Sequence, residues 1–223
     1  MFKMRYGRAM KLTQERIVDA GMATFAEVGY HGLSMRQVAV RLDATAGSLY
    51  YHVKSKNDLL AMMADRVCLQ AYDAATAAME ALPLESTWRE EVEVQAATLR
   101  RSLHEHPGGA ILLADSPKML SSGGLSLMER LLRTLLDAGV PGPHLITAAD
   151  TLLSHITGFA LQEQSESQAP AITPEHYADL RTRFPLTFEE APRHGQDEKF
   201  HRSIHLLCTA IETLITQEPE PPP

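Results

Sequence analysis

Aromatic residues make up only 6% of this 223-residue chain, tryptophan occurs once and cysteine twice. Two cysteines, Cys68 and Cys208, both inside apolar stretches, build neither a disulfide scaffold nor a cysteine zinc site, which fits a reducing cytosol. No apolar run approaches the ~18 residues that a membrane span needs. The segment Met1-Phe-Lys-Met-Arg-Tyr6 lacks a secretory apolar core, so a cytoplasmic location is expected. There is no Gly-rich phosphate loop, no Gly-x-Ser-x-Gly elbow and no His-Glu-x-x-His, and Ser, His and Asp stand at no catalytic spacing. Neither an enzyme nor a cofactor is expected. β-Branched residues are outnumbered by Ala, Leu, Met and Glu, so the composition leans helical.

What is present is enough apolar material for a packed core, 44% hydrophobic against 22% charged. The formal net charge of −7 is unevenly spread. Residues 1–56 hold nine Lys and Arg against four Asp and Glu, a net of +5, which leaves −12 for residues 57–223. A basic head on an acidic body points to a polyanion met by the head alone.

Helical periodicity starts at Thr13, with Ile17, Ala20, Gly21, Phe25 and Val28 recurring every three or four residues up to Gly29. Ser34-Met-Arg-Gln37 has the form of a capping box, followed by a short helix that buries Val38, Ala39 and Leu42. After the turn Asp43-Ala-Thr45, another short helix from Ala46 to His52 buries Leu49 and then Val53. Ser55-Lys-Asn-Asp58 opens a long helix towards Leu82, where Pro83 stops it. Six more helices are expected, over 87–104, 109–114, 125–138, 144–164, 174–183 and 197–217, with no strand. Residues 184–196 read as loop, the pairs Gly108-Gly109 and Gly123-Gly124 as loop glycines, and 1–10 and 218–223 as flexible tails. The fold class is therefore all-α: an N-terminal helix-turn-helix head of three helices and a C-terminal helical domain.

Residues 34–53 carry the sharpest signal. Two short helices meet across a three-residue turn, with small Ala39 at the crossing, as a helix-turn-helix requires if its second helix is to enter a major groove. Asp43 stands at a turn position where Gly is common and tolerates left-handed geometry less well. An αα-corner in a plain helical bundle has the same outline. The outward residues of the second helix are unlike a plain solvated face, however: Thr45, Ala46, Gly47, Ser48, Tyr50, Tyr51 and His52, then Lys54 and Lys56, with no acid from Ala44 to Ser55.

Residues 11–71 resemble the DNA-binding head of the TetR family of transcriptional repressors. The likeness rests on Ala23-Thr-Phe-Ala-Glu-Val-Gly29, Gly32-Leu-Ser-Met-Arg-Gln-Val-Ala39 and Leu49-Tyr-Tyr-His-Val-Lys-Ser-Lys-Asn-Asp-Leu-Leu60, and is closest to the tetracycline repressor branch. The resemblance implies that Arg36 touches bases or backbone and that Thr45, Ala46, Gly47 and Ser48 read base edges. It further implies that Tyr50, Tyr51 and His52 clamp backbone and thymine methyls, and that Lys56 pins a phosphate. Ala46-Gly47 replaces the branch's Gln-Pro, so a different operator sequence is expected. Trp88, residues 97–107, Gly158-Phe-Ala-Leu-Gln-Glu163, Arg183-Phe-Pro185 and Phe200 are similar to the branch's regulatory domain, which implies a ligand pocket and a homodimer. Where the branch has a metal-chelating His, this chain has Leu113.

The domain division expected is 11–71 for DNA binding and 72–217 for ligand binding and dimerisation. The dimer also has a pattern of its own. Phe200, Ile204, Leu207, Ile211 and Leu214 are spaced 4, 3, 4, 3, a coiled-coil seam, and Leu152 and Ile156 lie on a matching stripe. The same stripes could instead fill one subunit's core. His201 and His205 share a helix face but have no third ligand, His104 and His106 complement a helix C-terminus, and His155 reads as a buried, hydrogen-bonded His. Trp88, Leu99, Leu103, Leu113, Met119, Met128, Leu132 and Phe159 are the candidate pocket wall, for a largely apolar effector bound without metal. The function read is a ligand-released repressor on a palindromic double-stranded operator. An activator of the same fold, or a helical ligand-binding protein or enzyme without DNA binding, is the alternative.

Overall fold

The computed structural model describes residues 11–115, 121–166, 172–190 and 195–216. Among these residues there are eleven helices and no strand. The head comprises α1 (Gln14–Gly32), α2 (Met35–Arg41), α3 (Ala46–Tyr50) and the start of α4 (Lys56–Glu80). The body adds α5 (Trp88–Glu105), α6 (Gly109–Asp115), α7 (Ser122–Asp137), α8 (Gly142–Glu166) and α11 (Gln196–Thr216), with α9 (Pro174–Arg183) and α10 (Pro185–Glu190) between α8 and α11. No helix among the described residues is long and apolar enough to cross a membrane.

Each head helix opens on a hydroxyl cap. Thr13, Ser34, Thr45 and Ser55 accept from the backbone N–H groups of Arg16, Gln37, Ser48 and Asp58, which satisfies donors that a helix start leaves free. At Gly29 φ is 72°, and the helix kinks there before its last turn. Asp43 takes the left-handed turn position at φ 51°, the one non-glycine residue with positive φ among those described. Ile17, Val38, Leu49, Leu59 and Met63 are fully buried and make the core of the head. Leu42 and Ala44, expected inside, are half-buried against it.

Body packing centres on α4, α5, α7 and α8, and α11 lies on α5 and α8. Within the expected loop 184–196, residues 185–190 are corrected to helix: Pro185 begins α10, where a proline's fixed φ and missing N–H suit a first helical turn. Helix α7 likewise starts earlier than expected, since Ser121 caps it and Gly124 donates to the Ser121 hydroxyl at 3.2 Å. Gly123 and Gly124 are therefore helical residues rather than loop glycines, and Gly109 begins α6, the helix expected over 109–114. A Cβ on Gly123 would meet Asp65 O at 2.6 Å and Leu69 N at 2.8 Å, so α7 can rest on the α4 backbone only with glycine there. The expected tails 1–10 and 218–223 lie outside the described residues.

Candidate functional site

Two surfaces bear on function, one on the head and one in the body along the middle of α4. At the head, Leu49 and Val53 anchor α3 from below while Thr45, Gly47, Tyr50 and Tyr51 point outward. Tyr51 is 92% exposed and Tyr50 49%, so neither ring is a core residue. Ala46, Ser48 and His52 are half-buried at the margins of that face, and Arg36 is exposed on α2. The turn is held by Asp43 N donating to Val40 O at 3.1 Å and Ala44 N donating to Ala39 O at 3.0 Å. Behind it, Gln14 Nε2 donates to His52 O at 2.9 Å and ties α1 to the end of α3.

Lys56 is less free than the sequence implied. Its Nζ donates to Tyr30 O at 3.3 Å and lies 5.7 Å over the Tyr30 ring. An ammonium has three donors, so two remain for an outside acceptor. Gly47 has the opposite character: a Cβ there would meet nothing closer than Thr45 Oγ1 at 3.9 Å. No neighbour in the chain requires that glycine.

The second surface is a cavity of about 540 Å³ walled by α4, α5, α6, α7 and α8. Leu99, Leu113 and Met128 line it, together with Cys68, Leu125, Leu127, Leu153 and Leu161. Burial, with the Asp65 charge adding, pushes the Cys68 thiol up to about 12, so it stays neutral. The polar groups of the wall are Asp150, Ser154 and Thr157 on α8, which the apolar stripes of the sequence could not reveal. Trp88, Leu103, Leu132 and Phe159, also expected in a pocket wall, do not line this cavity. Leu103 is fully buried on α5, and Phe159 lies on the opposite side of α8 against Phe200, ring centroids 5.2 Å apart. Met119 lies outside the described residues.

The stripes read as a dimer seam pack largely within the chain, the alternative that the sequence left open. Leu152, Ile156, Phe200, Ile204 and Ile211 are all buried within a single chain, where they join α8 and α11 to α5. Leu207 and Leu214 are half-buried at the edge of that core. The uncovered stripe of α11 is rotated away from it and carries Leu206, 71% exposed, with Ala210 and Thr213.

Polar contacts fix the cavity walls to one another and to α4. On α8, Glu163 accepts from Arg100 Nε at 2.9 Å and Nη2 at 2.5 Å and pairs with His104 Nε2 at 2.7 Å. Burial works to raise the Glu163 pKa, but these hydrogen bonds and charges outweigh it and hold the carboxyl below its ordinary value. Gln164 Nε2 donates to Leu103 O at 2.8 Å, and its Oε1 accepts from Ala110 N at 3.1 Å, which clamps the corner between α5 and α6. His106 bonds Gln70 at 2.6 Å rather than a helix end, and His155 bonds Ser203 Oγ at 2.6 Å. Helix α7 is fastened to α4 twice. Gly123 N donates to Asp65 Oδ1 at 2.6 Å, and Arg130 Nη1 donates to Tyr72 O and Thr76 Oγ1, both at 2.9 Å.

Comparison with known proteins agrees with this arrangement. The family profile described as bacterial regulatory proteins, tetR family, matches residues 17–63. The profile described as Tetracyclin repressor-like, C-terminal domain, matches residues 82–215. An HTH-type transcriptional regulator of Saccharopolyspora erythraea is 30% identical over 197 residues, 85% of this chain and 79% of its own length. A crystal structure of a possible TetR family transcriptional regulator from Streptomyces coelicolor A3(2) has the same fold, with TM-score 0.77 and 24% identity over 90% of this chain and 99% of that one. A crystal structure of BioQ with its natural double-stranded DNA operator matches with TM-score 0.66 and 25% identity, covering 91% of this chain and 99% of that chain. The profile matches and the S. erythraea relative place the chain in a family: it belongs to the TetR family of transcriptional regulators.

Proposed function

We propose that this regulator is a ligand-responsive, cytoplasmic repressor that binds a palindromic double-stranded operator as a homodimer. Residues 11–71 are its DNA-binding head and 72–217 its ligand-binding and dimerisation body. The observation that carries the reading is the outer face of α3. It is free of acids, rich in hydroxyls and flat rings, and exposed at Thr45, Gly47, Tyr50 and Tyr51. Such a face suits base edges and phosphates, with Arg36 and Lys56 at its flanks. BioQ's structure with an operator supports the same use of a similar head.

The effector enters the cavity and acts through α4. Helix α7 contributes Gly124, Leu125, Leu127 and Met128 to the cavity wall and is fastened to α4 at Asp65 and at Tyr72 and Thr76. A ligand that moves α7 therefore moves the helix on which the head is mounted. It needs a preference of ~1.4 kcal/mol for the DNA-free arrangement to weaken operator binding tenfold. Leu113, an aliphatic residue in the wall, supports an effector bound without a metal ion.

A salt titration of affinity for duplex DNA tests this reading. Log affinity should fall linearly with log salt. Tyr50→Ala should cost operator binding about 1–3 kcal/mol per half-site, with the melting temperature unchanged. Salt-independent or absent binding to duplex would contradict it.

A further inference from the structure

We infer that the effector is an amphipathic organic cation whose positive group sits at Asp150. The inference rests on the proposed use of the cavity as the effector site and assigns the chemical class that the site takes. Asp150, Ser154 and Thr157 follow one another at intervals of four and three along α8, so they form a single polar stripe down an otherwise apolar wall. Asp150 is exposed to the cavity side, and no ion pair or hydrogen bond holds its carboxylate among the described residues. Among the described residues, no Lys, Arg or His lines the cavity. The other ionisable lining group, Cys68, is neutral because burial pushes its thiol up to about 12.

A carboxylate without a partner beside an apolar wall is favoured by a ligand of opposite sign, by the modest amount that an exposed ion pair contributes. An anionic ligand would meet repulsion with nothing to offset it, and a neutral one would leave the carboxylate unmatched. The hydroxyls of Ser154 and Thr157 supply hydrogen bonds next to the charge, while Leu125 and Met128 face the apolar body of the ligand across the cavity. A volume of about 540 Å³ admits a molecule with several rings. One carboxylate does not make a cage for a bare metal ion, so the cation expected is organic.

The test is equilibrium binding of two probes to the full-length protein: tetraphenylphosphonium, an apolar cation, and triphenylphosphine oxide, its neutral counterpart. The cation should bind about fivefold tighter. Asp150→Asn should remove that preference and leave the neutral probe's affinity unchanged. Asp137→Asn, at an exposed acid outside the cavity lining, should keep it, which separates the local charge from the chain's overall −7. Equal binding of the two probes, a preference that survives Asp150→Asn, or its loss in Asp137→Asn would overturn the assignment to Asp150 and leave the cavity reading intact. Failure of both probes to bind would overturn the cavity reading and the assignment together.

Discussion

Gly47 separates folding from function at the level of one residue. Glycine in a helix costs up to ~1 kcal/mol against alanine, and a Cβ here would make only an ordinary contact, with Thr45 Oγ1 at 3.9 Å. The chain keeps a residue that its own stability does not favour, which is understandable if the space is taken by DNA. Gly47→Ala should therefore leave the melting temperature equal or slightly raised while weakening operator binding. Equal binding by the variant would remove Gly47 from the interface. The neighbouring positions were legible in the sequence because their chemistry is local: a cap at Thr45, an apolar anchor at Leu49 and an acid-free outer face. The Lys56 bond to Tyr30 O was not, since it joins residues 26 apart and depends on how α1 ends at its kink.

Among the helices, α8 shows how long-range contacts decide what a local pattern leaves open. Glu163, with a side chain only 9% exposed, receives both Arg100 and His104 and holds α8 to α5. Its pKa is below the ordinary value, so the stability it contributes is fully present above the unfolded carboxyl's pKa of about 4.3. That contribution is lost as pH falls through the depressed folded value. Glu163→Gln should cost about 1–3 kcal/mol at pH 7, and its thermal stability should fall less than the wild type's between about pH 4.3 and acid unfolding. Parallel pH profiles for the two proteins would place the acid sensitivity elsewhere. Every helix but α10 was legible from periodicity, and Pro174–Arg183 was read to the residue. The start of α7 was missed because the reason Gly123 is helical lies in the α4 backbone beneath it. Helix α10 was missed because Pro185 reads as a breaker and as a first-turn residue alike.

For the molecule as a whole, a basic head and an acidic, cavity-bearing body are joined by one continuous helix, α4, so a change in the body has a rigid route to the head. The all-helical class and the family likeness were legible from composition and from the run Leu49–Leu60. The dimer surface was not. Two stripes on α11 are apolar enough to serve, and only the packing of α5 and α8 decides which of them the chain covers itself. If the remaining stripe is the seam, Leu206→Glu should give monomers of unchanged helix content that no longer bind an operator, because a charge would be buried without a partner. A dimer that persists in sedimentation would exclude this face. The central claim, that α3 reads DNA from a two-fold dimer, is tested most directly by selecting bound sequences from random duplex and sequencing them. The account predicts an inverted repeat whose half-sites lie about one helical turn, or a multiple of it, apart. Recovery of no enriched sequence, or of a single unrepeated site, would contradict it.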